Sequence, residues 1–433
     1  MYKVVEGVLL AMGFEVLDCG IVATPTVQYI VLHEKAAGGV IVTSSHNPID
    51  WNGLKFVSSD GLFLLPSLWP GAPIARSLSD SYVRLGLTCR LIEIQALAAN
   101  PSQVHWPSYD KIGKLVAYPN ANQVHIDAIL ALPEVKVDVV RARKFKVVLD
   151  TVNGAGGPIM TTLLERLGCE VVGLNTDTSG IFAHEPEPVP QNLHQLGHAV
   201  KEHKAHLGIA TDPDVDRCVL IDNEGHQIGE EYTLALAAQF WLGTCGKRGT
   251  VVKNLSTSRV IEDIASDHDC PVIDTPIGEI HVAAKMVEVK AVFGGEGNGG
   301  VMLPDVHIGR DAPVAATLVL MLLATWEGTM RELRKALPSY HIVKLKANVA
   351  NITTDLDVYF AQVAHKWRHR GATVQTIDGV HISTPRWWVH LRKSNTEPIV
   401  RVIAEAEKGE DAEHVAHQFL EAIESNGLFS PRV

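Results

Sequence analysis

The chain has 433 residues, of which 46% are apolar and 20% charged, with a formal net charge of −11. That length is long for one hydrophobic core, so two to four domains are expected. An acidic balance with no basic block argues against nucleic acid and anionic membrane as partners. The six scattered cysteines (Cys19, Cys89, Cys169, Cys218, Cys245 and Cys270) include no Cys-x-x-Cys pair. This argues against a zinc site or a disulfide frame and fits reduced thiols in a cytoplasm.

In chain order, Met1 leads without a cap into a helical pattern (Val4, Val5, Val8, Leu9), and Glu6 breaks the apolar run that a signal peptide would need. A strand at 14–17 and a helix at 26–35 precede the strand and loop "GGVIVTSSHNP". The stretch 61–107, with prolines around "SLWPGAP", reads as loop and short helices. A strand restarts near Lys144, a helix ends at Gly168, and strand "CEVVGL" and helix 193–203 lead into "LGIATDPDVDR". Another strand restarts near Thr250. A helix near Ile261, strand "CPVID" and helix Glu279–Val289 then lead into "AVFGGEGNGG". The apolar run 312–326 is shorter than the roughly 20 residues that span a bilayer, so a buried helix is expected there. A helix at 330–337 hands over to a differently organised segment, with the strand "WWVHLRKSNTEPIVRVIAEA" and a helix at 410–425.

Three strand–helix–strand units, each ending in a polar or glycine-rich loop, imply α/β domains with mainly parallel sheets; the last segment is an α+β module. The restarts divide the chain into 1–141, 142–243, 244–340 and 341–433. In such sheets ligands bind beyond the carboxyl ends of the strands, where all three loops lie.

The loop chemistry is specific. In "DPDVDR", Asp212, Asp214 and Asp216 alternate with Pro213 and Val215. Carboxylates this close repel one another and call for a cation, and hard oxygen ligands suit Mg²⁺ with positions left open for phosphate. In "GGEGNGG" the acidic Glu296 sits among the glycines, where it would repel a pyrophosphate. Glu296 and Asn298 suit the neighbouring hydroxyls of a sugar instead. In "LRKSNTEP", Arg392, Ser394, Asn395 and Thr396, together with Arg401, make a phosphate cradle of guanidinium forks, hydroxyls and turn amides. In "TSSHNP" a serine is the candidate phosphate carrier, with the metal of the aspartate loop to balance its charge. His46 and Lys55 are candidates for proton transfer.

Together "TSSHNP", "DPDVDR", "GGEGNGG" and "RKSNTEP", in this order over nearly the whole chain, resemble the α-D-phosphohexomutase superfamily. The resemblance implies four domains around a central cleft, with the last closing over the substrate phosphate. It implies a phosphoserine at Ser45 that passes its phosphate to a hexose phosphate, with a hexose bisphosphate as activating intermediate. One Mg²⁺ per chain would be held by Asp212, Asp214, Asp216 and Ser45. Arg217 would face the phosphate, Lys55 the attacked hydroxyl, and Gly278 and Glu279 of "TPIGEIH" would read the sugar. Within the superfamily, "GGEGNGG", "PDVHIGRDA" and "RKSNTEP" look most like archaeal-type and related bacterial phosphoglucosamine mutases, which interconvert glucosamine 6-phosphate and glucosamine 1-phosphate. Phosphomannomutase or phosphoglucomutase activity is the alternative, on a monomer or homodimer. The family's opening strand and Ile-Arg-Gly-type loop have no counterpart here. Exposed apolar surface in the first domain is therefore expected, and a non-catalytic sugar-phosphate binder is the outcome if that difference abolishes activity.

Overall fold

The computed structural model describes residues 1–47, 50–64, 99–104, 106–349, 355–394 and 398–425. Pro48, Asn395, Thr396 and most of the stretch 61–107 lie outside them. Strands β1 (Val16–Asp18), β2 (Gly38–Val42), β3 (Leu54–Ser58) and β4 (Leu115–Ala117) form two separate two-stranded sheets, β1 parallel to β4 and β2 antiparallel to β3. "TSSHNP" therefore lies in the connection of a β2–β3 hairpin, not in a strand-to-helix loop, because Ile41 pairs with Lys55 across it. A cavity of about 1170 Å³ runs between the two sheets, walled by Val16, Leu17, Val31, Val40 and Phe56 and reaching Ser45 and Asp214 at its polar end.

Little holds this first region from within. Its own buried cluster is Val31, Ile41 and Val57, and helix Tyr2–Ala11 buries none of its residues. Val4 is 69% and Ile21 62% exposed, so the expected apolar surface is present.

The next two sheets carry the organisation read from the repeat. β5 (Lys146–Asp150), β6 (Glu170–Leu174), β7 (Leu207–Thr211) and β8 (Cys218–Ile221) are ordered β6-β5-β7-β8 and parallel except for β8. β9 (Val251–Asn254), β10 (Val272–Thr275), β11 (Phe293–Glu296), β12 (Gly300–Leu303) and β13 (His307–Arg310) are ordered β10-β9-β11-β12-β13, with β12 and β13 antiparallel. One continuous core joins them, from Ile126 to Leu337. At its centre helix Ala312–Thr325 is buried from Ala312 through Ala324, which is why its sequence is apolar on every face. Asp311 caps it by accepting the Val314 N–H at 2.9 Å. Among the described residues no single helix is long and apolar enough to cross a membrane.

The last sheet is antiparallel, ordered β14 (His341–Asn348), β18 (Ile399–Ala406), β17 (Trp387–Lys393), β16 (Val380–Ser383) and β15 (Thr373–Gln375). Helices Leu356–His369 and Gly409–Glu424 cover it over a separate core. What reads as one strand in "WWVHLRKSNTEPIVRVIAEA" is the hairpin β17–β18, paired from Trp387–Ala406 to Lys393–Val400. Arg392 stands directly opposite Arg401 in that pair, so both arginines project from one face.

Candidate active site

The aspartate loop follows β7, where the chain reverses into antiparallel β8. Asp212 Oδ1 accepts the backbone N–H groups of Asp216 and Arg217, each at 3.1 Å, which folds the loop back on itself. Val215 sits at φ +67°, strained for a β-branched residue, and that turn aims Asp214 and Asp216 the same way as Asp212. The three carboxylates are buried, with ligand oxygens within 4.8 Å of one another. One oxygen from each (Asp212 Oδ2, Asp214 Oδ1 and Asp216 Oδ1) has no hydrogen-bond partner among the described residues. Three convergent orphan oxygens fit a hard divalent cation. Burial pushes the Asp212 carboxyl well up, with Asp216 and Asp214 adding to it. Burial acts on Asp216 in the same sense, but the positive charges of Arg310, Lys55 and Arg217 outweigh it and hold Asp216 ionised.

Lys55, from β3, reaches Asp214 Oδ2 at 2.7 Å and Asp216 Oδ2 at 3.4 Å. Burial opposes its charge, but the two carboxylates prevail and keep it an ammonium. Thr24 ties the first domain to the same loop, its hydroxyl donating to Asp214 Oδ2 at 2.8 Å. Ser45 stands at φ +53°, with its N–H donated to Thr43 Oγ1 and its Oγ 3.2 Å from His46 Nδ1. Burial, and then Arg217, depress the His46 pKa and favour the neutral ring. Arg217 lies 3.9 Å from Asp216 Oδ1 and 3.6 Å from Glu187.

The glycine-rich loop joins β11 to β12 and packs on the aspartate loop. Gly299 is at φ +89°, and a Cβ there would lie 2.4 Å from the Cys218 carbonyl oxygen, so only glycine fits. Glu296 Oε1 accepts from Asn254 Nδ2 at 2.7 Å and from the Gly278 N–H at 2.9 Å. Asn298 Oδ1 accepts the Gly300 N–H at 3.2 Å. Linking the loops is Arg310, whose role the sequence reading missed although "PDVHIGRDA" contains it. Its guanidinium donates to Asp216 Oδ2 at 2.6 Å, Glu296 Oε2 at 3.0 Å and Glu279 Oε2 at 3.2 Å. Its backbone N–H also donates to Glu279 Oε1 at 3.0 Å. Motif spacing gives no sign of such a hub, because its partners come from three separate segments.

A second missed residue is Asp378. Its carboxylate accepts from Arg392 Nε at 2.8 Å and from the Ile277 N–H at 3.0 Å. Arg392 is thereby tied to "TPIGEIH". His390 braces the junction, with Nδ1 2.8 Å from Ser256 Oγ and Nε2 on the Asp378 carbonyl. Ser394 donates its N–H to the Ile399 carbonyl and Arg401 is exposed on β18, while Asn395 and Thr396 lie outside the described residues. Asp378→Ala is expected to raise KM by about 10- to 100-fold with a smaller change in kcat, since a charge-assisted contact orienting Arg392 is lost. A lowered KM in steady-state assays would show that Asp378 competes with phosphate for Arg392.

Beneath the glycine-rich loop, Glu231 accepts the Ser258 N–H at 2.9 Å. Burial lifts its carboxyl from 4.5 to about 8, against the pull of Lys344. The folded value exceeds the unfolded one, so this contribution to stability is complete below about 4.5 and is lost as pH rises through about 8. Wild-type unfolding free energy is expected to fall by a few kcal/mol over that window in denaturant titrations. Glu231→Gln should flatten the profile, and an unchanged profile would refute the assignment.

Repeated α/β domains whose serine, aspartate and glycine-rich acidic loops converge place the protein among phosphoryl-transfer enzymes. Models of the phosphoglucomutase/phosphomannomutase family match alpha/beta/alpha domains I, II and III at residues 1–69, 123–225 and 229–340, and the C-terminal domain at 344–422. The chain belongs to that family, within the α-D-phosphohexomutase superfamily, and is a phosphohexomutase, an isomerase. A probable phosphoglucosamine mutase of Methanopyrus kandleri is 33% identical over 424 residues, covering 96% of this chain and 85% of the relative. A phosphoglucomutase/phosphomannomutase of Thermococcus kodakarensis is 34% identical over 405 residues, covering 93% and 82%. The crystal structure of a phosphoglucomutase/phosphomannomutase family protein from Burkholderia thailandensis superimposes with a TM-score of 0.72 at 25% identity, covering 96% of this chain and 84% of that one.

Proposed function

We propose that this phosphohexomutase interconverts glucosamine 6-phosphate and glucosamine 1-phosphate through phosphorylated Ser45. The observation that carries the phosphoserine chemistry is the set of three orphan carboxylate oxygens beside Lys55, at the cavity that also holds Ser45. The choice of amino sugar is supported by the Methanopyrus kandleri relative, and phosphomannomutase or phosphoglucomutase activity is the second reading, favoured by the Thermococcus kodakarensis relative. Domains divide near 141, 243 and 340.

In the transfer, the bond from Ser45 Oγ to phosphorus breaks as a sugar oxygen–phosphorus bond forms. The hydroxyl gives up its proton and Ser45 Oγ regains one, so protons balance. When Ser45 takes phosphate back, neutral His46, 3.2 Å from Ser45 Oγ, accepts the serine proton and Lys55, held charged, supplies one to the departing sugar oxygen; the first transfer runs the same two proton movements in reverse. Glu279, Glu296 and Asn298, with the Gly278 backbone, receive the sugar hydroxyls. Arg392, Ser394, Asn395, Thr396 and Arg401 hold the phosphate that is not being transferred, and Arg217 faces the one that is. One Mg²⁺ per chain, held by Asp212, Asp214, Asp216 and phosphorylated Ser45, would neutralise charge on the phosphoryl group. The hexose bisphosphate formed after the first transfer turns over in the site and primes any unphosphorylated enzyme.

The net charge of −11 and the reduced-thiol composition support a cytoplasmic enzyme acting on a small sugar phosphate, without nucleic acid or membrane. A coupled assay with glucosamine 1-phosphate, glucose 1-phosphate and mannose 1-phosphate, after priming with the matching bisphosphate, tests the reading. The largest kcat/KM is expected for the amino sugar. A larger value for mannose or glucose installs the second reading, and binding without turnover of any of the three means a non-catalytic binder.

A further inference from the structure

"PDVHIGRDA" contains chemistry that the hexose phosphate site does not use. His307, at the start of β13, and Asp311, the cap of helix Ala312–Thr325, meet His125 of helix Ala121–Leu130. All three are buried, with ligand atoms within 4.8 Å of one another. Both imidazole Nε2 atoms lie 2.9 Å from the same oxygen, Asp311 Oδ2. Only His307 makes a hydrogen bond to it, and His125 Nε2, fully buried, has no hydrogen-bond partner among the described residues. The surroundings repeat this deficit. Gln28 Oε1 and His307 Nδ1 are buried without hydrogen-bond partners, and a Cβ on Gly309 would lie within 2.8 Å of both the Gln28 amide and the His307 ring.

One Asp311 oxygen therefore serves two imidazoles at once: His125 Nε2 meets it at ion-pair distance without hydrogen-bond geometry, and His307 Nδ1 is left with no hydrogen-bond partner among the described residues. We propose that His125, His307 and Asp311 hold a structural divalent transition metal of the zinc class, separate from the three-aspartate site. Two imidazole nitrogens and one carboxylate are the donors that zinc-class ions prefer and Mg²⁺ does not. Outer contacts that orient such ligands are present: Thr26 Oγ1 lies 3.0 Å from His125 Nδ1, and the Val314 N–H donates to Asp311 Oδ1 at 2.9 Å. Cysteine spacing, which argued against zinc, does not bear on a histidine–aspartate set. The site braces both approaches to the active centre. Thr26 lies on helix Thr24–His33, whose Thr24 holds Asp214, and Asp311 follows the Arg310 that holds Asp216.

Elemental analysis of wild-type protein dialysed against excess Mg²⁺ with trace zinc is expected to find about one zinc per chain, and none would overturn the proposal. One equivalent of Co²⁺ added to metal-free protein should give strong visible absorption from a histidine-ligated, low-coordinate site. That absorption should persist in Asp214→Asn and vanish in His125→Gln and His307→Gln. Absorption that instead follows Asp214→Asn and ignores both histidines would overturn the proposal. Should the histidine variants fail to fold, wild type still decides. A zinc-selective chelator in excess Mg²⁺ should lower its Tm, with recovery on adding zinc and not on adding more Mg²⁺. An unmoved Tm would overturn the site.

Discussion

Ser45→Ala is expected to abolish mutase turnover, by roughly 10⁴-fold or more, while leaving the fold in place. The serine sits in the hairpin connection, its backbone N–H on Thr43 and its hydroxyl facing His46, so removing one oxygen disturbs only local contacts. Its φ of +53° sharpens the test. Ser45→Gly should relieve up to about 1 kcal/mol of backbone strain and yet be equally inactive, which separates chemistry from loop geometry. Ser44 contributes its backbone carbonyl, which accepts from Asn47, and alanine retains that carbonyl. Intact mass after treatment with a hexose bisphosphate should show one added phosphate in wild type and Ser44→Ala, and none in Ser45→Ala. The reverse pattern would move the phosphate to Ser44.

Arg310→Met is expected to be the most destabilising single change at the site. Arg310 is buried against Asp216, Glu279 and Glu296. Methionine fills the volume but strands three buried carboxylates, at a cost of about 3–5 kcal/mol for one uncompensated buried pair. Lysine should not rescue it, because a single ammonium cannot reproduce a fork that spans three partners. Activity should fall with stability, since Glu279 and Glu296 lose the group that aims them. Urea titrations with and without Mg²⁺ check this, and a variant within about 1 kcal/mol of wild type would refute the hub. Mg²⁺ should restore part of the loss by neutralising charge around Asp216.

The chemistry-bearing loops were legible because each is local. Alternation in "DPDVDR" brings three carboxylates together whatever the rest of the chain does, and glycines around Glu296 mark a close backbone approach. Strand–helix–strand order likewise announced three α/β domains with mainly parallel sheets, since hydrophobic period and turn residues are short-range signals; two of them carry four- and five-stranded sheets, and the first has two two-stranded ones among the described residues. "TSSHNP", like the aspartate and glycine-rich loops, joins two antiparallel strands, the second a return strand that the strand–helix–strand pattern does not announce. Return strand β3 pairs through backbone bonds that leave no distinctive sequence mark.

What only the tertiary structure decided is who partners whom across distance. Asp216 meets Arg310 across 94 residues, Asp378 joins Arg392 to the Ile277 amide, and His125 meets Asp311 from another helix. In each case a buried charge or polar group selects its partner by desolvation, a cost incurred only once packing has excluded water. The sequence by itself determined the kind of chemistry and the order of the loops that carry it. Packing determined which oxygens are left unmatched, and hence where a cation or a phosphate has a reason to sit.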